Sequence, residues 1–418
     1  MKVCFLMYHG SMYSGGQGIY LYYLTRELAR IGHEVHVIAG PPYPRMPDGV
    51  QMHPVDSMSW YRYAENRQAF FARSPWQFFY PLNFLELGST RAGLFTLMIT
   101  FSLRALAEFK KLSRHTRFDI VHDNQCLGIG LLMLRSSGIP VVATIHHPLS
   151  IDVKNAVADT RNPILKARRL IYYPILMQEM VARRLDRIIT VSQASARMVA
   201  QAFSIPEEDL RIVYNGIDTD LFRPLRVTRE AGSLIYVGNS EDRNKGIRYL
   251  LEALHLLLPE MDYRLTFVDK PRGELKLAPA LVRRYGLSTR VDFTGRVPNE
   301  RLVDLYSRSQ LMACPSLYEG FGLPVAGAMA CEVPVVATTG GALPEVVEDG
   351  VTGLLVPPAD GKALAGAIRH LAADKRLQQR LGKAARKRVV ERFNWRRAAA
   401  DTLAVYEEVL ARRSTRIS

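Results

Sequence analysis

Three short stretches of this 418-residue chain carry side chains at spacings suited to holding oxyanions. In PSLYEGFGLP, Glu319 closes an apparent strand, Gly320 and Gly322 let the backbone approach a ligand closely, and Pro324 suits a first helical turn. Backbone donors and a positive helix terminus favour a departing diphosphate, while a nearby carboxylate can hold sugar hydroxyls. In YVGNSEDRNKG (Tyr236–Gly246), a strand passes through a loop to a helix start carrying Lys245. Its ammonium can neutralise a diphosphate, with Arg243 as a second charge; a solvated charged loop is the plainer reading. The GxxxxGK[ST] spacing of a Walker loop is absent. In SMYSGGQG, Gly15, Gly16 and Gly18 permit a tight turn with N–H groups near a helix start, although the stretch is no clean GxGxxG. TTGGALPEV (Thr338–Val346) repeats the glycine-pair device.

These loops need a frame, and the hydrophobic periodicity supplies one. Apolar runs at Lys2–Tyr8, His33–Gly40, Asp119–Asn124, Pro140–His147 and Asp186–Ser192 alternate with helical segments, the βαβ rhythm of a doubly wound α/β domain. The pattern pauses in NGIDTDLFRPLRVTREAGS and restarts with SLIYVGN, a helix from Lys245 to Leu258, RLTFVD, VDFTGRV, LMACPS, PVVAT and GLLVPP. The expected organisation is an N-terminal Rossmann-like domain over 1–222 and a second over 233–395. A final amphipathic helix from Arg396 is expected to return to the first domain. Parallel sheets place ligands at the carboxyl ends of their strands, so two facing domains of this class make a deep interdomain cleft. The interval Ser57–Arg117 interrupts the rhythm with aromatics and arginines; it reads as a helical insertion, an acceptor holder or a membrane contact.

The formal net charge is +15 and the pI about 9.7, which favours anionic partners. Runs such as Lys166–Arg187 and Arg386–Arg397 read as solvated helix faces or as a surface resting on an acidic bilayer. No zinc finger, RNA-recognition signature or basic arm points to nucleic acid. The 12-residue apolar run Ala92–Leu103 is too short to span a bilayer, and the N-terminus reads as a strand rather than a signal peptide. The expected location is cytoplasmic, with peripheral association on the inner face of the membrane as an extension. Four scattered cysteines, Cys4, Cys126, Cys314 and Cys331, show no metal-ligand spacing and suit a reducing compartment.

The chain resembles the retaining glycosyltransferases of family 4, which have the GT-B fold. The likeness spans nearly the whole chain and is most specific in SLYEGFGLPVAGAMACEVPVVATTGGALPEVVEDGVTGLLVPPAD. VYNGIDTDLFRP, FTGRVPNERLVDLYSRS and GGQGIYLYYLTRELARIGHEVHVI support it. The resemblance implies transfer of a glycosyl unit from a nucleotide sugar of UDP or GDP type to a hydroxyl acceptor, with retention and no obligatory metal or other cofactor. It assigns Lys245 to the donor diphosphate and Glu319 to donor-sugar hydroxyls. It assigns the backbone of Gly320, Phe321, Gly322 and Leu323 to sugar and phosphate, and Arg296 and Val297 to the base. His146 matches the position beside the donor sugar, with His147 as its neighbour, and Gly16 matches the N-domain glycine near the phosphate. Asp218 and Asp220 in DTD are then a turn and cap, not a metal site. The residue set holds no Ser-His-Asp arrangement, so the protein's part is positioning and stabilising the leaving group.

Three positions depart from that pattern. The second family glutamate, a ribose ligand, is replaced by Gly327; the usual glycine five residues later is Glu332; the usual diphosphate arginine is Asn239. A glycine inside a helix costs about 1 kcal/mol relative to alanine. A glutamate at a helix C-terminus opposes the dipole and calls for left-handed backbone. Two readings follow: an active nucleotide-sugar transferase with altered donor contacts, compensated by Arg243 or another residue, or a non-catalytic or degenerate GT-B binding or partner subunit. The acceptor is not readable; the charge and the insertion favour a membrane-associated glycolipid or polysaccharide intermediate.

Overall fold

The computed structural model describes residues 1–12, 16–57, 76, 80–91, 96–148 and 174–417. Gly15, most of the aromatic stretch near residues 58–79 and the first part of the basic run at 166–173 lie outside the described residues. Contacts divide the chain into two units. One joins Met1–Val191, Ser195–Val213 and Ala399–Ser418; the other joins Ser192–Ala194 and Tyr214–Ala398.

The first unit is built on β1 (Lys2–Met7), β2 (Glu34–Ala39), β3 (Val50–Pro54), β4 (Ile120–Asn124), β5 (Val141–Ile145), β6 (Arg187–Thr190) and β7 (Leu210–Ile212). They form one parallel sheet in the order β3-β2-β1-β4-β5-β6-β7. Strands such as VVATI are buried throughout because both faces of a parallel sheet are covered. The helix Leu97–Leu112 shows how: Met98, Phe101, Ala105 and Phe109, spaced three or four apart, are buried in the core. The apolar run at 92–103 therefore contributes to a core helix from Leu97 onward. No described helix is long and apolar enough to cross a membrane. Strand order reverses between β1 and β4, which makes their carboxyl ends the place where an open sheet takes ligands. From Ala399 the helix Trp395–Ile417 belongs to this unit, and its Tyr406 is fully buried with its hydroxyl on His122 Nδ1.

The second unit carries β8 (Ser233–Val237), β9 (Arg264–Val268), β10 (Val291–Phe293), β11 (Leu311–Cys314), β12 (Val335–Thr338) and β13 (Leu354–Val356) in the order β10-β9-β8-β11-β12-β13. Here the reversal falls between β8 and β11. The helix Ile247–Leu257 presses Ile247, Leu250, Leu251 and Leu254 into the sheet. Each such side chain contributes about 1.5–3 kcal/mol by leaving water. The helix starts two residues later than its periodicity suggests: Lys245 ends a short 3-10 turn, Arg243–Lys245, and Gly246 (φ 62) turns the chain into the helix. Likewise Glu319 does not close a strand, because β11 ends at Cys314 and the four residues Pro315–Tyr318 intervene. All four cysteines are buried free thiols.

Candidate active site

In the second unit, three loops at the carboxyl ends of β8, β11 and β12 lock together. Gly246 comes so close to β11 that a Cβ there would overlap the Pro315 carbonyl, and its left-handed backbone excludes other residues for a second reason. The Asn244 carbonyl accepts the Leu317 N–H at 2.7 Å. From the other side, Thr338 Oγ1 donates to the Ser316 carbonyl, and the Ala342 N–H donates to the Glu319 carbonyl at 2.8 Å. Gly341 (φ 64) lies where a Cβ would overlap the Glu319 backbone. The two glycine-rich stretches found in the sequence are thus parts of one clasp.

The clasp brings Lys245 and Glu319 into contact. Lys245 Nζ stands 2.7 and 2.9 Å from the Glu319 carboxylate oxygens, and Ser316 Oγ donates to the same carboxylate at 2.8 Å. Burial pulls the Lys245 pKa down, but the charge and hydrogen bonds of Glu319 outweigh it and hold the ammonium above its ordinary value. Lysine is therefore charged at neutral pH, as an anion-binding role needs. The helix Leu323–Ala330 begins immediately beyond, with Gly322 at φ 97 and Pro324 in its first turn. Its positive end flanks Glu319 and Gly320. The Phe321 ring is buried edge-on against Phe393 at 5.5 Å, so it anchors the loop and leaves the backbone as the usable part.

Other predicted positions spread around this centre. Asn239 is exposed, with its Oδ1 accepting the Glu241 N–H at 3.3 Å, and Arg243 is exposed on the 3-10 turn. Arg296 is exposed and Val297 half-buried beyond β10, two strands from β8 on the same end of the sheet. Gly327 is buried in its helix, and a Cβ there would meet the rings of Phe222 and Tyr306 at 3.5 Å, an ordinary contact. Glu332 does take left-handed backbone, φ 59. Arg229 Nη2 donates to its carbonyl at 2.6 Å, placing a cation at the negative end of the helix and offsetting the misplaced carboxylate.

In the first unit, Gly16 (φ 72) caps the helix Gln17–Arg30, and His146 follows β5. Asn124, which the sequence did not single out, joins the two. Its Nδ2 faces the Gln17 carbonyl at 3.3 Å and its Oδ1 faces His146 Nε2 at 2.8 Å. A carbonyl can only accept, so the amide orientation is fixed; Nε2 of a neutral His146 carries the proton and Nδ1 keeps its lone pair. Gln125 Oε1 accepts the N–H groups of His146 and His147 at 2.6 and 3.2 Å. Tyr20 packs edge-on against the His146 ring at 4.8 Å. Burial, then the neighbouring His147, lowers the His146 pKa to about 3, so the ring is neutral across ordinary pH. The available sequence signal was two consecutive amide side chains, Asn124 and Gln125, at the end of a buried strand.

The comparisons with known proteins bear on the family and the fold. A model of glycosyltransferase family 4 matches residues 14–221, and one of glycosyl transferases group 1 matches residues 219–388. The chain is 39% identical over 419 aligned residues to the MMP α-(1→4)-mannosyltransferase of Mycolicibacterium hassiacum, covering 99% of each. Among solved structures it is similar to a sucrose-phosphate synthase from Thermosynechococcus elongatus, with TM-score 0.74 and 23% identity over 98% of this chain and 99% of that one. It is also similar to Anabaena HepE, solved in complex with UDP-glucose, with TM-score 0.69 and 19% identity over 97% and 100% of the two chains.

Proposed function

Because the chain belongs to glycosyltransferase family 4 and has the GT-B fold of two Rossmann-like domains, we propose that it transfers an α-mannosyl unit from a nucleoside-diphosphate mannose, of GDP or UDP type, to the 4-hydroxyl of a saccharide acceptor. The observation that carries the reading is the Lys245–Glu319 pair on the clasp, beside the first turn of Leu323–Ala330. The sugar and linkage follow the mannosyltransferase that the chain matches over its full length.

In this reading the donor diphosphate takes the Lys245 ammonium and the amides of Phe321, Gly322 and Leu323, and Glu319 turns to the hydroxyls of the sugar. Arg296 and Val297 lie by the base. His146 accepts a donor-sugar hydroxyl at Nδ1 while Asn124 holds Nε2. Charge develops on the leaving phosphate as the glycosidic bond breaks, and preorganised donors stabilise it there without reorganising. The acceptor hydroxyl enters on the same face and passes its proton to the leaving phosphate oxygen, giving retention. Lys245 and the helix terminus supply the positive charge, so no metal is required. Gly327 removes the ribose carboxylate of the family pattern, a contact of about 1.5–3 kcal/mol. The net charge of +15 supports work on an acceptor held near an anionic surface, on the cytoplasmic side.

The test is incubation with GDP-mannose or UDP-mannose and a mannose oligosaccharide, followed by NMR of the product. An α-(1→4) mannosidic linkage formed equally well with chelator present is expected. A β linkage would refute retention, and a requirement for divalent metal would refute the assigned role of Lys245.

A further inference from the structure

A cavity of about 390 Å³ in the first unit is lined by five arginines, Arg135, Arg183, Arg187, Arg412 and Arg413. Two carboxylates, Asp186 and Asp209, share the lining, and Glu179 and Glu408 pair with its arginines from outside it, which leaves a formal excess of one positive charge. The cavity sits at the amino ends of the strands. Asp186 immediately precedes β6, Arg187 is its first residue, and Asp186 Oδ2 accepts the N–H of Val141, the first residue of β5, at 2.9 Å. His146 lies beyond the other end of β5. Five residues at about 3.3 Å each put roughly 15 Å of strand between the two places, so a donor diphosphate at the carboxyl end cannot be what these arginines hold.

Fastening the final helix explains part of the cluster. Arg413 donates to Asp186 at 3.0 Å and to the Gly138 carbonyl, and Arg187 donates to Glu408 at 2.7 Å. The remaining three arginines are not needed for that. Arg135 reaches Asp186 only through Nε at 3.4 Å, Arg183 reaches Glu179 through Nη1 at 3.3 Å, and Arg412 reaches Glu408 through Nη2 at 2.9 Å. Each therefore keeps guanidinium N–H groups without a protein partner among the described residues. Like charges brought together round a concave surface repel unless an anion enters, and planar guanidinium forks match phosphate oxygens.

We propose that this arginine-lined cavity is a second anion site, which takes a phosphate group at the end of the sheet opposite the catalytic residues. The helix Ile175–Ala182 adds Leu176, 81% exposed, beside a neighbouring cavity that shares Arg183, so a phosphate bearing an apolar tail is accommodated as well as a soluble phosphate ester.

The test uses the full chain carrying Lys245→Ala, which removes the main phosphate ligand of the donor site, with and without Arg135→Gln and Arg412→Gln. Inorganic phosphate is titrated calorimetrically at low salt. Binding to the Lys245→Ala protein is expected, weakened on the order of tenfold or more by the two arginine substitutions. No binding, or binding that the arginine substitutions leave unchanged, overturns the proposal. If the combined variant does not fold, Arg412→Gln alone, whose side chain is 59% exposed, gives the same comparison. Co-sedimentation with phosphatidylglycerol and phosphatidylcholine vesicles then separates the sources. Capture by the anionic vesicles alone, lost in the arginine variants, assigns a lipid headgroup; phosphate binding without vesicle capture assigns a soluble phosphate ester.

Discussion

Asn124 sets the chemical state of His146. The amide can present only its oxygen to Nε2, because its nitrogen is committed to the Gln17 carbonyl. Burial keeps the ring neutral, with a pKa near 3. In the wild type, therefore, His146 adds no titration to kcat/KM between pH 5 and 9. Asn124→Asp places a carboxylate against the Nε2–H, which favours the imidazolium by roughly 1–3 pH units. The pH profile of kcat/KM should then acquire a step on the acid side, near pH 4–6, with activity lost as the ring protonates and Nδ1 ceases to accept. Superimposable profiles for the two proteins would show that Nδ1 takes no part. Gly327 is a contrasting case: a Cβ there would make only ordinary contact with the rings of Phe222 and Tyr306, so the helix leaves room for a side chain to start at this position.

At the scale of elements, the departures in Leu323–Glu332 are absorbed by neighbours. Glu332 sits in left-handed backbone at the end of the helix, where glycine is favoured by about 1 kcal/mol. Arg229 caps its carbonyl, and Gly382 leaves room for it in the helix Lys375–Arg392. Replacing Glu332 by glycine should raise stability by about 1 kcal/mol in urea denaturation while leaving donor binding unchanged. A destabilised variant would mean that the Glu332 side chain makes contacts that outweigh the backbone strain. The clasp itself was legible in the sequence because glycine and charge alternate there at spacings that only a close backbone approach explains. The loop after β4 was not. Its left-handed positions are Gln125 (φ 60) and Leu127 (φ 49), so no glycine marked the turn. Strands β3 and β7 were missed for a different reason: VQMHP mixes exposed polar residues with proline, and LRI is three residues long.

For the molecule as a whole, two parallel sheets each reverse strand order once, and Gly16, His146, Lys245 and Glu319 all follow the carboxyl ends of strands. Lys245 and Glu319 flank the reversal between β8 and β11; in the first unit Gly16 follows β1, His146 follows β5, and Asn124, which the sequence did not single out, ends β4. The central claim is that this arrangement uses a nucleotide sugar as a glycosyl donor despite the loss of the ribose glutamate. The most direct measurement is nucleotide release from a panel of GDP-, UDP- and ADP-sugars, in parallel for the wild type and Lys245→Ala. Release from a mannose donor is predicted, falling at least about a hundredfold in Lys245→Ala, as for removal of one transition-state charge contact. No release from any donor, together with no thermal shift from any nucleotide, would contradict the account and leave a GT-B scaffold that does not turn over.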